Sequence, residues 1–546
     1  MNTDAKTEQR EITPSSTLDR RGRSVSSLRF GLGFAQWISL ALPVITATFL
    51  VVAMLSSPNL LTGIRGVGGE GYDDGVHVGT ALRLTQFALP YRDYLFLHPP
   101  AIVVVLAPLG ILGRITSEHS ALVSARVLTA FVVVANVALI CVLLRKRGWG
   151  AMAVGGFVVA LWPLTSFVST TVMIEPYLVF FLLAGCVAMF DGDEVVGGSR
   201  LLAAGVLLGL ALSFKLVAVI PVLVLLGVCL WRQRRKGLAL VKGIALSLAV
   251  VVLPFVVISP VNFFRDVVIT QIQRKPSIAG GPSVANRLAT IFGLESFPAS
   301  GTAERLTVLL STALVCVVVC ACVSRWRRRT PFDVAMLGCW ICSLAFLLRT
   351  PDVFSHYPYP AAAFLALVVG ICAGELGDRI EQGVVRSRGT VWSNASVALG
   401  VIAIAASVLL IGIPRSVKMA DQLRSGAIDP SAWIGNEIPV GSCVVFDVPT
   451  LAVVGNRLLS DVECPDLIDP FGLWLASGDH SIPNVSSQKP SDLVRTWQRY
   501  LNEADFIILS VDYSSYIPWT PELRSLIQRE FAKVGEQSGI NIYKKN

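Results

Sequence analysis

Residues 199–231, SRLLAAGVLLGLALSFKLVAVIPVLVLLGVCLW, decide how this chain is threaded. As one helix, the run would hold Lys215 in the middle of the hydrocarbon, where a lysine is expensive. It would also send the basic stretch 232–236 to the side opposite the other basic clusters. As two short spans meeting at Lys215, it leaves the lysine at a membrane face. The basic stretch then lies on the side that the positive-inside rule requires. We therefore expect two helices with a break at Lys215.

The rest of the chain follows the same logic. Of its 546 residues 53% are hydrophobic and only 15% charged, with mean hydropathy +0.64. A soluble chain carries about a quarter charged residues, so the composition is that of a polytopic α-helical membrane protein. Further apolar runs lie at 33–56, 119–144, 149–165, 173–190, 238–259, 304–324, 332–349, 358–376 and 393–414. About eleven spans and a cytoplasmic N-terminus place the clusters at 145–147, 232–236 and 325–329 inside, together with Arg379, Arg386 and Arg388. Residues 1–32 read as a cytoplasmic basic tail, because the run after them is too long for a signal-peptide core. Residues 33–414 form the transmembrane domain.

The apolar run 101–113 is short for a span. It reads as a re-entrant or interfacial helix within a first outer loop, 57–118. A second large outer loop covers 260–303. Parity then sends 415–546 outside, as a small α/β domain with β-like runs at 443–448, 506–511 and 540–543 and helical stretches at 491–503 and 521–533. Nine of the eleven cysteines lie in apolar runs and read as small buried hydrophobes. Cys443 and Cys464 lie in the polar domain and are able to pair if it faces an oxidising compartment. The net charge of +9 sits in topology clusters rather than in a basic, aromatic-interleaved soluble segment, which argues against a nucleic-acid partner.

On the expected outer face gather His77, His98, His119, His356 and His480, with Asp73, Asp74, Asp93, Glu175, Lys215, Arg265, Arg274 and Lys275. Basic residues outside oppose the usual bias. A shared anionic ligand would account for them, and so would headgroup contacts. No nucleotide sugar is available there, so a synthetic enzyme needs a donor delivered through lipid, such as a sugar on a polyprenyl phosphate. Transfer to a hydroxyl needs a carboxylate to take the proton and cations to meet the departing phosphate. The stretch after Asp73 reads as an amphipathic helix with Val78, Leu82 and Leu89 on one side, lying in the interface. Asp93 is expected to pair with Arg92 or Arg83 and shape the loop. A divalent metal is possible beside an aspartate pair with histidines, but no ligand spacing is specific enough to assign one.

DDGVHVGTALRLTQFALPYRDYLFLHPP (73–100) resembles the first outer loop of the GT-C superfamily of polyprenyl-phosphate-sugar glycosyltransferases, in the branch of protein O-mannosyltransferases and aminoarabinose transferases. Ser124-Ala125-Arg126, AAGVLLGLALSFKLVAVIP (203–221) and SHYPYPAAAFLAL (355–367) follow in the family's order. The resemblance covers roughly residues 30–415. It implies an inverting transfer of a mannose- or arabinofuranose-type sugar from a polyprenyl-phosphate donor to a hydroxyl on a glycan, lipid or protein. Asp73 would be the catalytic base, with Asp74 and Glu175 supporting it. His98, Lys215, Arg274 and Lys275 would bind the donor phosphate, and Asp93, Arg265, His356 and Tyr357 are further candidates. His98 stands where the aminoarabinose branch has a lysine, a departure that makes the charge there pH-dependent. The expected location is the cytoplasmic membrane. A lipid-linked sugar transporter or flippase would show inverted repeats and mid-membrane charges, which the sequence lacks. A non-catalytic envelope-assembly scaffold would be free to lose the acidic pair, which is present.

Overall fold

The computed structural model describes residues 33–65, 71–232, 237–276, 281–293, 329–381, 413–477, 492–512, 514 and 516–546. Among them, Phe34–Leu55 and Glu118–Arg147 are long and apolar enough to cross a bilayer. Shorter apolar helices include Trp149–Ala160, Ile174–Met189, Ser199–Leu212, Leu216–Arg232, Gly237–Val251, Pro331–Leu347 and Tyr359–Glu375. They fall on the apolar runs read from the sequence. The runs 304–324 and 393–412 lie outside the described residues, as do the tail 1–32 and His480.

Residues 199–231 form two helices. Ser199–Leu212 ends just before Lys215, and a 3-10 turn, Leu216–Ala218, leads into Val219–Arg232. Ala101 N–H donates to the Ser213 carbonyl at 2.9 Å, so the break is tied to the start of the helix after Pro100. The glycines of this helix serve packing. A Cβ on Gly205 would stand 2.2 Å from the Leu240 carbonyl oxygen, so only glycine allows the close crossing with Gly237–Val251.

The segment expected as a first outer loop holds two helices, Tyr72–Leu84 and Ala101–Ile115. They cross closely: a Cβ on Gly110 would lie 2.3 Å from the Ala81 carbonyl oxygen. The segment between them is anchored near residue 260, where Ser259 Oγ and the Asn262 side-chain amide donate to the Tyr91 carbonyl at 3.0 and 2.8 Å. These bonds hold Tyr91 at φ 68°, a left-handed conformation that a tyrosine rarely adopts.

The expectation of an interfacial helix after Asp73 is corrected. Within Tyr72–Leu84 every residue but Asp73 and Leu84 is buried, including His77, Thr80 and Arg83 on its polar side. The C-terminal region covers that side. Gly79 meets Leu458 and Ile468, and a Cβ on Gly75 would strike the Thr450 backbone nitrogen at 2.1 Å. Further bonds seal the contact. The Glu118 carboxylate accepts from Leu458 and Leu459 N–H at 2.9 and 2.8 Å, and the strand Ile64–Arg65 pairs antiparallel with Ala427–Ile428.

The C-terminal region is an α/β unit around one four-stranded sheet. Val444–Phe446 pairs parallel with Phe506–Leu509. The hairpin Phe531–Gln537 and Ile540–Lys545 follows antiparallel on the far side of Phe506–Leu509. The helix expected over 521–533 stops at Glu530, and the chain continues as the strand from Phe531, whose exposed alternation carries little sequence signal. Cys443 and Cys464 form a disulfide, tying the first strand of the sheet to the loop that leads toward Asp469.

Candidate active site

The aspartate pair opens the helix Tyr72–Leu84. Gly71 adopts φ 101° at its N-cap, a conformation that favours glycine, and carboxylates in the first turn suit the helix dipole. Thr450, from the C-terminal region, completes the cap: its hydroxyl donates to the Gly71 carbonyl at 2.5 Å and accepts from Gly75 N–H at 2.9 Å. Successive helical residues are turned by about 100°, so the two carboxylates face different surroundings.

Asp74 faces inward and is fully committed. Arg126 donates to its Oδ2 through Nη2 at 2.6 Å and Nε at 2.9 Å, Val172 N–H donates to Oδ1, and both side chains are 0% exposed. Arg126 Nη1 also binds the carbonyls of Leu61 and Gly63, each at 2.8 Å. Asp74 and Arg126 thus join the aspartate helix, the helix Glu118–Leu144 and the segment 60–63.

Asp73 faces outward and is half-buried. It lies within electrostatic reach of Lys215, His356, Asp469 and Tyr516. Lys215 Nζ sits 2.6 Å from Glu175 Oε1 and 4.3 Å above the Tyr357 ring. His356 Nε2 is 3.8 Å from the same Glu175 oxygen. Arg274 Nη1 donates to the Tyr357 hydroxyl at 3.0 Å and Nε lies 3.6 Å from Asp352. Its side chain is 9% exposed, and Nη2 is buried with no hydrogen-bond acceptor among the described residues.

His77 and His98 close the cluster, with ring centroids 6.1 Å apart. His77 Nδ1 is 2.6 Å from the Val172 carbonyl, so this nitrogen carries a proton and donates it to that oxygen. Burial holds His98 well below the ordinary histidine value, and the positive charge of Lys215 and the neighbouring His77, His356 and Arg274 act in the same direction. Burial lowers His356 too, against the pull of Glu175. The result is a cluster of two cations and three imidazoles, of which Lys215 and His356 lie within electrostatic reach of the half-buried Asp73 carboxylate. It can neutralise an anion and take a proton beside it.

Comparisons with known proteins bear on the family and the fold. Residues 96–351 match the model of glycosyltransferase family 87. Among solved structures, the chain is similar to ArnT from Cupriavidus metallidurans bound to undecaprenyl phosphate. The identity is 14%, the TM-score 0.54, and the match covers 94% of this chain and 98% of that one. The chain is a glycosyltransferase of the GT-C fold. It is also similar to the Archaeoglobus fulgidus oligosaccharyltransferase in complex with Zn and sulfate, at 14% identity and TM-score 0.50, covering 92% of this chain and 73% of that one. No curated protein matches the chain by sequence.

The glycosyltransferase brings together six of the eleven residues singled out from its sequence: Asp73, His98, Glu175, Lys215, Arg274 and His356, with Tyr357 between the two cations as a seventh. Asp74 lies directly behind them. The other three stand apart. Asp93 accepts from Arg92 Nη2 and Leu89 N–H, each at 2.7 Å, and shapes the loop. Arg265 is paired with Asp266 at 2.9 Å. Lys275 is exposed. His119 is bound through its backbone N–H to Asn456, away from the other histidines.

Sequence reading had not assigned roles to Arg126, His77 or Tyr72. An arginine inside the apolar run 119–144 was itself a signal, since a charge there needs a partner. Asp469 gave none. It accepts from the Tyr72 hydroxyl and Gly472 N–H, each at 2.7 Å, and burial pushes its carboxyl up to about 6. Among the described residues, no group of three or more His, Cys, Asp or Glu side chains is placed to hold a metal.

Proposed function

We propose that this glycosyltransferase moves a sugar from a polyprenyl-phosphate donor to a hydroxyl acceptor on the outer face of the cytoplasmic membrane, with inversion. The observation that carries the reading is the uncommitted carboxylate of Asp73 within electrostatic reach of Lys215 and His356, in the cluster that also holds Arg274, His77 and His98. Asp73 takes the acceptor proton. Lys215 and Arg274 meet the phosphate as negative charge grows on the departing oxygen, and the open Nη2 of Arg274 is the donor that a phosphate oxygen would satisfy. Glu175 acts by positioning Lys215, since its carboxylate is already bound there. Asp74 acts by holding the helix that aims Asp73. Undecaprenyl phosphate in the ArnT structure supports the donor class.

Orientation follows from two features. The Cys443–Cys464 bond suits an oxidising compartment, and Arg145–Arg147 and Arg232 lie at helix ends away from the break at Lys215. The N-terminus is then cytoplasmic, and residues 415–546 form an extracytoplasmic domain packed over the site. The sugar is of mannose or arabinofuranose type.

The test is direct. Purified protein is offered a panel of radiolabelled polyprenyl-phosphate sugars with envelope acceptor, and transferred label is counted. Transfer from one donor with inversion at the anomeric carbon is expected. No transfer from any donor that binds would leave a carrier or a scaffold in place of an enzyme of this kind.

His98 and His356 give this reading a pH signature. Both are held below the ordinary histidine value in the free protein, so near neutral pH they are uncharged. A bound phosphate favours their protonated forms, so donor binding takes up protons. Affinity for a short polyprenyl phosphate should rise as pH falls from neutral, by at most about tenfold per unit for each coupled proton. Dissociation constants measured by calorimetry from about pH 8 to 5 would show the slope, and His98→Gln should flatten it.

A further inference from the structure

Three aromatic side chains of the C-terminal region cluster beside the site and take no part in the chemistry above. Phe471 and Trp474 lie one turn apart on the helix Pro470–Ala476, with ring centroids 5.7 Å apart and planes tilted by 22°. Tyr516 stands 5.5 Å from Phe471 and 5.3 Å from Tyr72. Tyr72 is buried, but Phe471, Trp474 and Tyr516 are only half-buried. The patch borders the site at two points. The Arg274 guanidinium lies 5.8 Å from the Phe471 ring, and Tyr516 feels the charge of Asp73.

An aromatic face is negative at its centre. It therefore suits the weakly positive C–H face of a sugar ring, whose hydroxyls then point sideways. Hydrogen-bonding groups near the patch are recessed: Asp469 is spent on Tyr72 and Gly472, and Asp447 on Ser510. An extended peptide would instead be recognised through backbone groups at a sheet edge, and this wall is built from side-chain rings. We infer that Phe471, Trp474 and Tyr516 form the acceptor subsite, and that it stacks a sugar ring of a glycan with one hydroxyl directed to Asp73. The inference rests on the transferase reading for its meaning, but binding at the wall is measurable without turnover.

The experiment is saturation-transfer NMR on the full chain in nanodiscs. The probes are mannose and arabinose trisaccharides and, in parallel, a serine- and threonine-rich peptide of similar mass. Saturation should reach the ring C–H protons of a trisaccharide. The dissociation constant should weaken roughly tenfold in Trp474→Ala and in Tyr516→Ala, and Trp474→Phe should recover most of the loss. Helical circular dichroism confirms that each variant is folded. The subsite is overturned if neither trisaccharide binds the wild type, if both alanine variants bind as the wild type does, or if only the peptide binds. Stacking without sugar transfer from any donor would keep the subsite and sink the transferase reading. Transfer with an acceptor KM unmoved in Trp474→Ala would do the reverse.

Discussion

Asp73→Asn should lower sugar transfer by roughly 10²–10⁴-fold, the range that a positioned general base supplies, while donor binding persists. The two side chains have nearly the same shape, so the helix Tyr72–Leu84 and its cap by Thr450 should survive the change. What disappears is the only nearby carboxylate with no fixed partner among the described residues. Asp74 is held by Arg126, Glu175 by Lys215 and Asp469 by Tyr72, so none is free to stand in. The readouts are initial rates of transfer and, separately, the dissociation constant of the lipid phosphate. A rate within threefold of wild type (roughly 0.7 kcal/mol of barrier) would remove Asp73 from the role of base.

Arg126→Ala should be the most damaging substitution for folding. Losing one partner of a fully buried ion pair costs about 3–5 kcal/mol, because the other charge is left in a medium that cannot solvate it. Here the loss is compounded, since the carbonyls of Leu61 and Gly63 lose their donor as well. The expected result is a thermal transition lowered sharply or absent, with little protein recovered in the folded state. Asp74→Asn should be milder, because the amide still accepts one hydrogen bond from Arg126. The double change Arg126→Met with Asp74→Leu should recover part of the stability, as apolar replacements of buried pairs often do. Thermal unfolding followed by circular dichroism in one detergent ranks the four proteins. Equal transitions in Arg126→Ala and the wild type would show that the pair does not carry the helix.

The contrast between these two aspartates marks where sequence reading stops. Both stood in the sequence as an acidic pair at the mouth of an outer loop, and both suggested catalysis. Neighbours along a helix point in different directions. Which one meets water and which meets Arg126 depends on a helix 52 residues away. The same limit applies to His77 and His98, whose meeting across 6.1 Å is made by the fold of the loop between them. The amphipathic pattern after Asp73 was real, but its polar side is covered by Thr450, Leu458 and Ile468 rather than by water. A periodicity tells which faces differ, and it is silent about a second layer arriving from residues nearly 400 positions later.

By itself the sequence determined the broad class of this protein and its main polar centre. Apolar runs of helical length, interrupted by clustered arginines, must be threaded so that charge stays out of hydrocarbon. That constraint is local enough to locate the break at Lys215. Tertiary structure alone decided the division of labour within that centre. It joined Glu175 to Lys215 across 2.6 Å, left Asp73 open, spent Asp74 on Arg126, and brought Phe471 to Arg274 and Tyr516 toward Asp73. These choices rest on contacts between segments far apart in the chain. Ion pairing and close packing fall off within a few ångströms, so such contacts exist only once the helices have assembled.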